Sequence, residues 1–367
     1  MKSLGICIVG AGRMGNLRAD SASAHPACRV THIVDTNGPR AEQLAKRLNC
    51  TWSIDWESAI CRADVDVVVV ATSHRFLAPV TIAAAKFGRH VFCEKPLAYN
   101  LSEAELIVAA IEKLRRDGFA PKVLVGFTLR HHPGVAKAHQ LLKEGAIGQP
   151  YYIRAHYGHG GRPGYDREWR MNKELGGGGE LLDQGVHLID LSRWFLGDFA
   201  TIEGGIGTYF WTGSSDSDAP VKRSFTAGAD SVEDNAFMLL RTSIGQTALL
   251  HASWTQWQNS FQLEVFGRDG ALTVSGLGGS YGAEKLTCVH RRPLGGVPEI
   301  TEIPIHETGS VWDREWSAFM EVIEPGSSAR DEFSEPASVA DGLEVLRIVD
   351  RLYNCASRAA LQDAVVG

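Results

Sequence analysis

Leu4-Gly5-Ile6-Cys7-Ile8-Val9-Gly10-Ala11-Gly12-Arg13-Met14-Gly15 is the stretch whose reading decides the fold. Its first half is an apolar run too short for a helix, so it reads as a buried strand. Its second half is G-x-G-x-x-G directly after that strand and ahead of a helical stretch. The three glycines serve three different purposes. Gly10 permits the tight turn, Gly12 lets a pyrophosphate approach the backbone, and Gly15 allows the helix to pack closely. The helix N-terminus then offers N–H groups and a favourable dipole to the anion. Arg13 and Met14, between the last two glycines, belong to the same cofactor turn. A second strand, Val30-Thr31-His32-Ile33-Val34, ends in Asp35, 20 residues after Gly15. An acid there binds an adenosine ribose 2′-hydroxyl and repels a 2′-phosphate, which favours NAD. Arg40 nearby keeps NADP open.

Outward from this stretch, strand and helix alternate. Residues 39–49 read as a helix, and Asp66 to Ala71 as an all-apolar strand of the parallel-sheet type. Thr72-Ser73-His74-Arg75 follows as a loop at that strand's carboxyl end, placing Thr72 and His74 beside a cofactor. The strand at 90–93 comes next and stops at Glu94-Lys95-Pro96. Proline cannot continue a central strand and biases the preceding residue to extended geometry. A lysine is therefore delivered at the carboxyl end of a strand, where ligands of open α/β sheets sit. Ser102 reads as the N-cap of the next helix, with Glu105 at the capping-box position. Lys122–Phe127 closes a doubly wound parallel sheet, giving a Rossmann domain over residues 1–127.

The chain has 367 residues, which at roughly 150 residues per domain suggests two domains. A net charge of −6 argues against nucleic acid as the main partner. Seven cysteines are scattered without a C-x-x-C pair, the pattern of free thiols in a reducing compartment without structural zinc. No charged leader with an apolar core precedes the first strand, and no apolar run reaches membrane length, so a cytoplasmic protein is expected. Residues 128–367 read as a second, α+β domain. Strand-like segments at 151–157, 201–210, 234–241, 247–257, 261–267 and 271–275 follow one another with few helices, which argues a mostly antiparallel sheet. Ala252 to Trp257 alternates, so one apolar face is expected to meet a partner subunit or the domain's own helices. Residues 312–323 and 336–353 read as closing helices.

The most informative part of the second domain runs from Trp169-Arg170 to Asp190. Gly176 to Gly179 open a helix carrying Asp183, His187 and Asp190. The spacings i, i+4 and i+7 put all three on one face. Two acids and a histidine make a poor core stripe, so that face is expected to front a cleft. Histidine transfers protons near neutrality, and a neighbouring carboxylate orients it. There is no G-x-S-x-G elbow and no cysteine near this histidine, so nucleophilic hydrolysis is unsupported. Without H-E-x-x-H or a third clustered ligand, no metal is expected. Arg154, Arg162, Arg167, Arg170 and Lys173 surround the segment and are suited to the phosphates of a sugar nucleotide.

Taken together, the chain resembles the Gfo/Idh/MocA family of sugar and polyol oxidoreductases over nearly its whole length. The resemblance rests on Gly10-x-Gly12-x-x-Gly15, on the run from Gly88 to Ala98 containing Glu94-Lys95-Pro96, and on Gly126-Phe127-x-x-Arg130-x-x-Pro133. It rests further on Trp169-Arg170 and on Gly177-Gly178-Gly179-x-x-x-Asp183-x-Gly185-x-His187-x-x-Asp190. It implies that Lys95 reaches the reacting hydroxyl or carbonyl and the nicotinamide ribose. His187 is then the proton-transfer residue, with Asp183 as its partner or a substrate ligand. Glu94 would help hold the cofactor ribose, and Lys95–Pro96 would be cis. Arg130, Trp169 and Arg170 would border the nicotinamide and substrate, while His131 stands where the family usually carries an aromatic. An open-faced second-domain sheet forming a homodimer or homotetramer is also implied. The expected activity is NAD(P)-dependent hydride transfer on a sugar, polyol or sugar nucleotide. The competing readings are an NAD-dependent glycosidase or eliminating enzyme with transient oxidation, and a ligand-sensing regulator on the same fold. Such regulators lack the lysine or the histidine, and both are present here.

Overall fold

A computed structural model describes residues 3–162, 164–211, 232–305, 309–326 and 335–366. The chain divides into two units, Met1–His131 with Thr308–Leu346, and His132–Glu307 with Arg347–Gly367. Among the described residues the first unit holds a seven-stranded sheet. Its order is Ala337–Ser338, Val123–Gly126, His90–Glu94, Val67–Val70, Leu4–Val9, Cys28–Val34 and Thr51–Ser53. Every pairing is parallel except that of the short strand Ala337–Ser338 with Val123–Gly126. This is the doubly wound parallel sheet expected, with the order reversing beside Leu4–Val9, the position where such sheets bind ligands. The all-valine strand Val67–Val70 is wholly buried, as a strand covered on both faces must be.

Two expectations for this unit are corrected. The helix expected to start at Ser102 runs over Leu101–Arg116. Its cap is Asn100, whose side chain accepts the Glu103 N–H, so Ser102 lies inside the first turn. The single cut near residue 127 also misses a return of the chain. The helix Val311–Ile323, started by a Ser310–Asp313 capping box, inserts Trp316, Phe319 and Met320 into the cluster around Ile6, Ile8, Val67 and Phe92. An amphipathic pattern says that a helix has a buried face but not which sheet that face covers.

The second unit, among its described residues, carries an eight-stranded sheet. Its order is Glu299–Ile303, Lys285–His290, Gly270–Ser275, Ser260–Gly267, Pro150–Gly158, Thr247–Ser253, Asn235–Thr242 and Phe199–Gly207. Only Pro150–Gly158 and Thr247–Ser253 pair in parallel, so the sheet is mostly antiparallel as expected. Strict alternation along Ser260–Gly267 buries Phe261, Leu263 and Val265 on the inner face. The outer face carries Phe237, stacked on His251 at 4.4 Å, and Leu249. The alternation expected to reach Trp257 stops at Ser253. Trp254 turns wholly into the core, and Trp257 takes a positive φ of 58° and stands exposed. No helix among the described residues is long and apolar enough to cross a membrane.

Burial has a titration consequence in both units. His25, His32, His90, His156 and His251 are all held below the ordinary histidine value of 6.5, burial being the first cause in each. Between the lowered value and 6.5 the unfolded chain binds more protons, so these groups contribute stability at higher pH that is lost on acidification. Glu233 and Glu315, raised by burial, act with the opposite sign above 4.5. NMR titration of the imidazoles is expected to place all five below 6.5, and any found at or above it makes no such contribution.

Candidate active site

The first unit builds a dinucleotide turn from its glycines upward. Gly10 has φ 102°, and a Cβ there would lie 2.4 Å from the Ala71 carbonyl oxygen. A Cβ on Gly15 would lie 1.7 Å from the Gly10 carbonyl oxygen, so helix Arg13–Ala24 meets the turn backbone to backbone. A Cβ on Gly12 would meet nothing within 4 Å. That is the space a pyrophosphate needs, and the helix behind it has no side-chain N-cap competing for its first N–H groups. The three glycines thus have the three different reasons the motif requires, and the residues present fit a dinucleotide.

Asp35 ties the turn to the second strand. Its Oδ2 accepts the Ala11 N–H at 2.8 Å, and its Oδ1 accepts the Asn37 N–H at 2.8 Å. The Arg40 guanidinium stands 3.7 Å from Asp35 Oδ2 with about half its side chain exposed. Arg13 is exposed and Met14 half-buried beside the turn. The loop carrying Thr72 abuts Gly10, and Thr72 donates its hydroxyl to the Ser73 carbonyl at 3.0 Å. His74 is buried in that loop.

Lys95 follows strand His90–Glu94 as expected, is half-buried, and precedes a cis peptide to Pro96. Glu94 differs from expectation. Its Oε1 accepts from Arg18 Nε at 2.5 Å, inside the protein, so a ribose contact would compete with that pair. Arg18 is fully buried and lies 4.2 Å from the Phe92 ring centre, with Glu315 at 2.6 Å on its other side. Burial opposes the Arg18 charge, but Glu315 and Glu94 outweigh it and hold its pKa up. No local pattern in the sequence marks this group, because Glu315 lies far along the chain. Arg130 is buried too, with Asp341 at 3.5 Å, and His131 beside it is almost fully buried.

The second unit contains the other half of the expected site residues. The helix expected to carry Asp183 and His187 begins as a π turn, Leu181–Gly185, before the α-helix Val186–Leu196. The π turn alters the register, so the three polar residues do not form the uniform α face inferred from spacing. Asp183 and His187 keep slight exposure, while Asp190 is only 1 % exposed. Arg170 Nε lies 3.2 Å from Asp183 Oδ2, and its guanidinium rests 4.6 Å from the Trp169 ring centre. Burial opposes the Arg170 charge, yet Asp183 foremost among its partners holds its pKa up.

Sequence reasoning missed Tyr157, whose ring meets that of His187 edge-on at 6.1 Å, and Tyr281, 5.5 Å from Tyr157. Burial, then the Tyr281 and Asp183 charges, keep the Tyr157 phenol protonated. With its amide oriented by its neighbours, Gln184 donates to Glu180 Oε1 at 2.6 Å and to the Tyr157 carbonyl at 3.3 Å. Period-2 alternation near the end of a strand was the available signal for Tyr157, which lies two residues beyond the buried Ala155.

Three of the arginines expected to form a phosphate site pair with acids of the chain, and Arg162 and Arg170 share Glu168. Arg154 alternates to the sheet face opposite Ile153 and Ala155, and there it grips Glu264 through two bonds of 2.6 and 2.8 Å. Arg162 pairs with Glu168, and Arg170 with Asp183. Among the described residues there is no group of three His, Cys, Asp or Glu side chains suited to a metal ion.

Fold and turn together define a dinucleotide-binding Rossmann protein, and comparison with known sequences makes it an NAD-binding oxidoreductase. Residues 4–117 match the oxidoreductase family with an NAD-binding Rossmann fold, and residues 135–273 match the GFO/IDH/MocA C-terminal domain. The chain is 28 % identical over 294 residues to levoglucosan dehydrogenase of Pseudarthrobacter phenanthrenivorans, covering 75 % of this chain and 74 % of that one. It is 31 % identical over 249 residues to 1,5-anhydro-D-fructose reductase of Ensifer adhaerens, covering 66 % and 67 %. A levoglucosan dehydrogenase solved with NADH and L-sorbose shares the fold at a TM-score of 0.78, with 24 % identity and 97 % of each chain covered. The chain belongs to the Gfo/Idh/MocA oxidoreductase family. It is an NAD-binding dehydrogenase or reductase of the sugar and polyol type, acting on CH–OH groups.

Proposed function

We propose that the protein interconverts a secondary hydroxyl and a ketone on a free sugar, anhydrosugar or polyol. Lys95 and His187 handle the hydroxyl proton, and Asp183 supports His187. NAD, when bound, accepts or returns the hydride, which leaves the carbinol carbon as the hydroxyl proton departs. Lys95 offers a positive charge to the oxygen as its proton leaves, the electrostatic help that developing alkoxides need. His187 takes the proton, and a carboxylate nearby favours the imidazolium that forms. The observation that carries the reading is the Arg170–Asp183 contact on the segment leading into the His187 helix. An arginine at 3.2 Å pairs with the carboxyl and orients it for that supporting role.

NAD over NADP is supported by Asp35, fixed by two backbone N–H groups at the strand end. A 2′-phosphate would bring like charge against that carboxylate. A free rather than nucleotide-linked sugar is supported by the arginine pairings, which engage Arg154, Arg162 and Arg170 with acids of the chain itself. The named relatives point the same way, since levoglucosan and 1,5-anhydro-D-fructose carry no phosphate.

The test is the absorbance of reduced nicotinamide on mixing enzyme, NAD or NADP, and a panel of polyols, hexoses, anhydrosugars and sugar nucleotides. A rise with unphosphorylated members under NAD is expected. A rise confined to sugar nucleotides or to NADP would overturn the corresponding assignment. Product formed without net NADH would replace the net oxidation by transient oxidation.

A further inference from the structure

Two of the four glycines ahead of the His187 helix, Gly178 and Gly179, have a spatial cause that sequence alone did not supply. A Cβ on Gly179 would lie 1.9 Å from the Glu233 carbonyl oxygen, and one on Gly178 would lie 2.0 Å from the Tyr353 hydroxyl. These glycines therefore admit two residues from distant parts of the second unit. Glu233 is buried, and a single oxygen of its carboxylate, Oε1, accepts three bonds. They come from the Gly179 N–H at 3.0 Å, the Leu181 N–H at 3.1 Å and the Tyr353 hydroxyl at 2.7 Å. The Glu233 carbonyl also accepts the Glu180 N–H at 2.9 Å. Gly179 in turn accepts the Asp183 N–H at 3.0 Å through its own carbonyl. An unbroken chain of bonds thus runs from Tyr353 through Glu233 and Gly179 to the backbone of Asp183.

We propose that Glu233 and Tyr353 are positioning residues that clamp the glycine turn and so set where Asp183 and His187 stand. A buried carboxylate is costly unless its acceptor capacity is used, and here backbone N–H groups and a phenol use it. Burial and the adjoining Glu233 charge keep the Tyr353 phenol protonated, so it remains a donor. Glycine alone would leave this turn freely mobile; the clamp removes that freedom where the acid–base pair is mounted. The inference rests on the proton role proposed for His187 and Asp183.

Tyr353→Phe and Glu233→Gln in the full chain test it. Both keep side-chain size; the first deletes one donor and the second removes the carboxylate charge. Hydrogen exchange of the amides at 179–183 is expected to quicken roughly 10-fold in each. Turnover is expected to fall about 3- to 30-fold with NAD affinity unchanged, since small misplacement of catalytic groups is expensive. Exchange at the wild-type rate in both variants overturns the clamp. Faster exchange with wild-type turnover overturns the positioning role. Because exchange is read without turnover, a fully active His187→Ala would remove the proton assignment while leaving the clamp to be judged by exchange alone.

Discussion

His187→Ala is expected to lower turnover by about 10²–10⁴-fold, the range for a positioned acid–base group, with NAD affinity unchanged. The two readouts separate because His187 belongs to the second unit and the dinucleotide turn to the first. His187 is nearly buried at the start of helix Val186–Leu196, with the Tyr157 ring set edge-on to it. Alanine there removes ring volume as well as the base. Asn is therefore the companion variant, keeping polarity and much of the volume without titrating near neutrality. A loss shared by both variants, at unchanged melting temperature, assigns the effect to proton transfer. Loss of NAD affinity together with turnover would make the histidine structural instead.

The second large effect is expected of Gly15→Ala, and it acts on the other half of the chemistry. The new methyl would lie 1.7 Å from the Gly10 carbonyl oxygen, well inside contact distance, and the atom it meets is backbone. No side chain can rotate aside, so either the helix Arg13–Ala24 or the glycine turn must move. Overpacking of this kind typically costs about 1–3 kcal/mol, and more where relief is lacking. The expected result is a lower melting temperature together with at least about 10-fold weaker NAD binding, each 1.4 kcal/mol being a factor of ten. Gly12→Ala is the contrast, since its methyl meets nothing in the protein and would obstruct only a bound dinucleotide. Calorimetric NAD titration beside thermal melts distinguishes the two, and a Gly15 variant with wild-type values in both would refute the packing argument.

The contrast between these glycines shows what was legible in the sequence. The glycine turn and the all-valine strand are local signals, and each reads the same in the structure because its cause lies within a few residues. Asp183 and His187 were singled out by spacing, but the π turn Leu181–Gly185 that carries Asp183 was not foreseen, since one extra residue in a turn leaves no mark in a hydrophobic pattern. Strand Glu299–Ile303 escaped notice because it lies at the sheet's edge and has no buried residue, and its neighbour Lys285–His290 because only Leu286 and Cys288 of it are buried. Arg18 with Glu315, and Glu233 with Tyr353, were beyond reach for another reason. Their partners lie 120 residues or more apart, as in the Tyr353–Glu233 bond, and pairing at that separation is decided by topology. Ser102 and Asn100 illustrate a finer failure, where two residues of similar capping strength compete and the backbone chooses.

The returning helix Val311–Ile323 also bears on how the protein is made. Trp316, Phe319 and Met320 complete the core that begins with Ile6, and burying three such side chains contributes about 1.5–3 kcal/mol each. That sum rivals the ~5–15 kcal/mol net margin typical of a folded domain. Glu315 of the same helix balances the buried Arg18. During synthesis, then, the strands from Leu4 to Gly126 emerge first yet wait for Val311–Ile323 before their interior is sealed. Until that helix arrives the nascent sheet carries an uncovered apolar flank, and transient exposure of that kind favours aggregation.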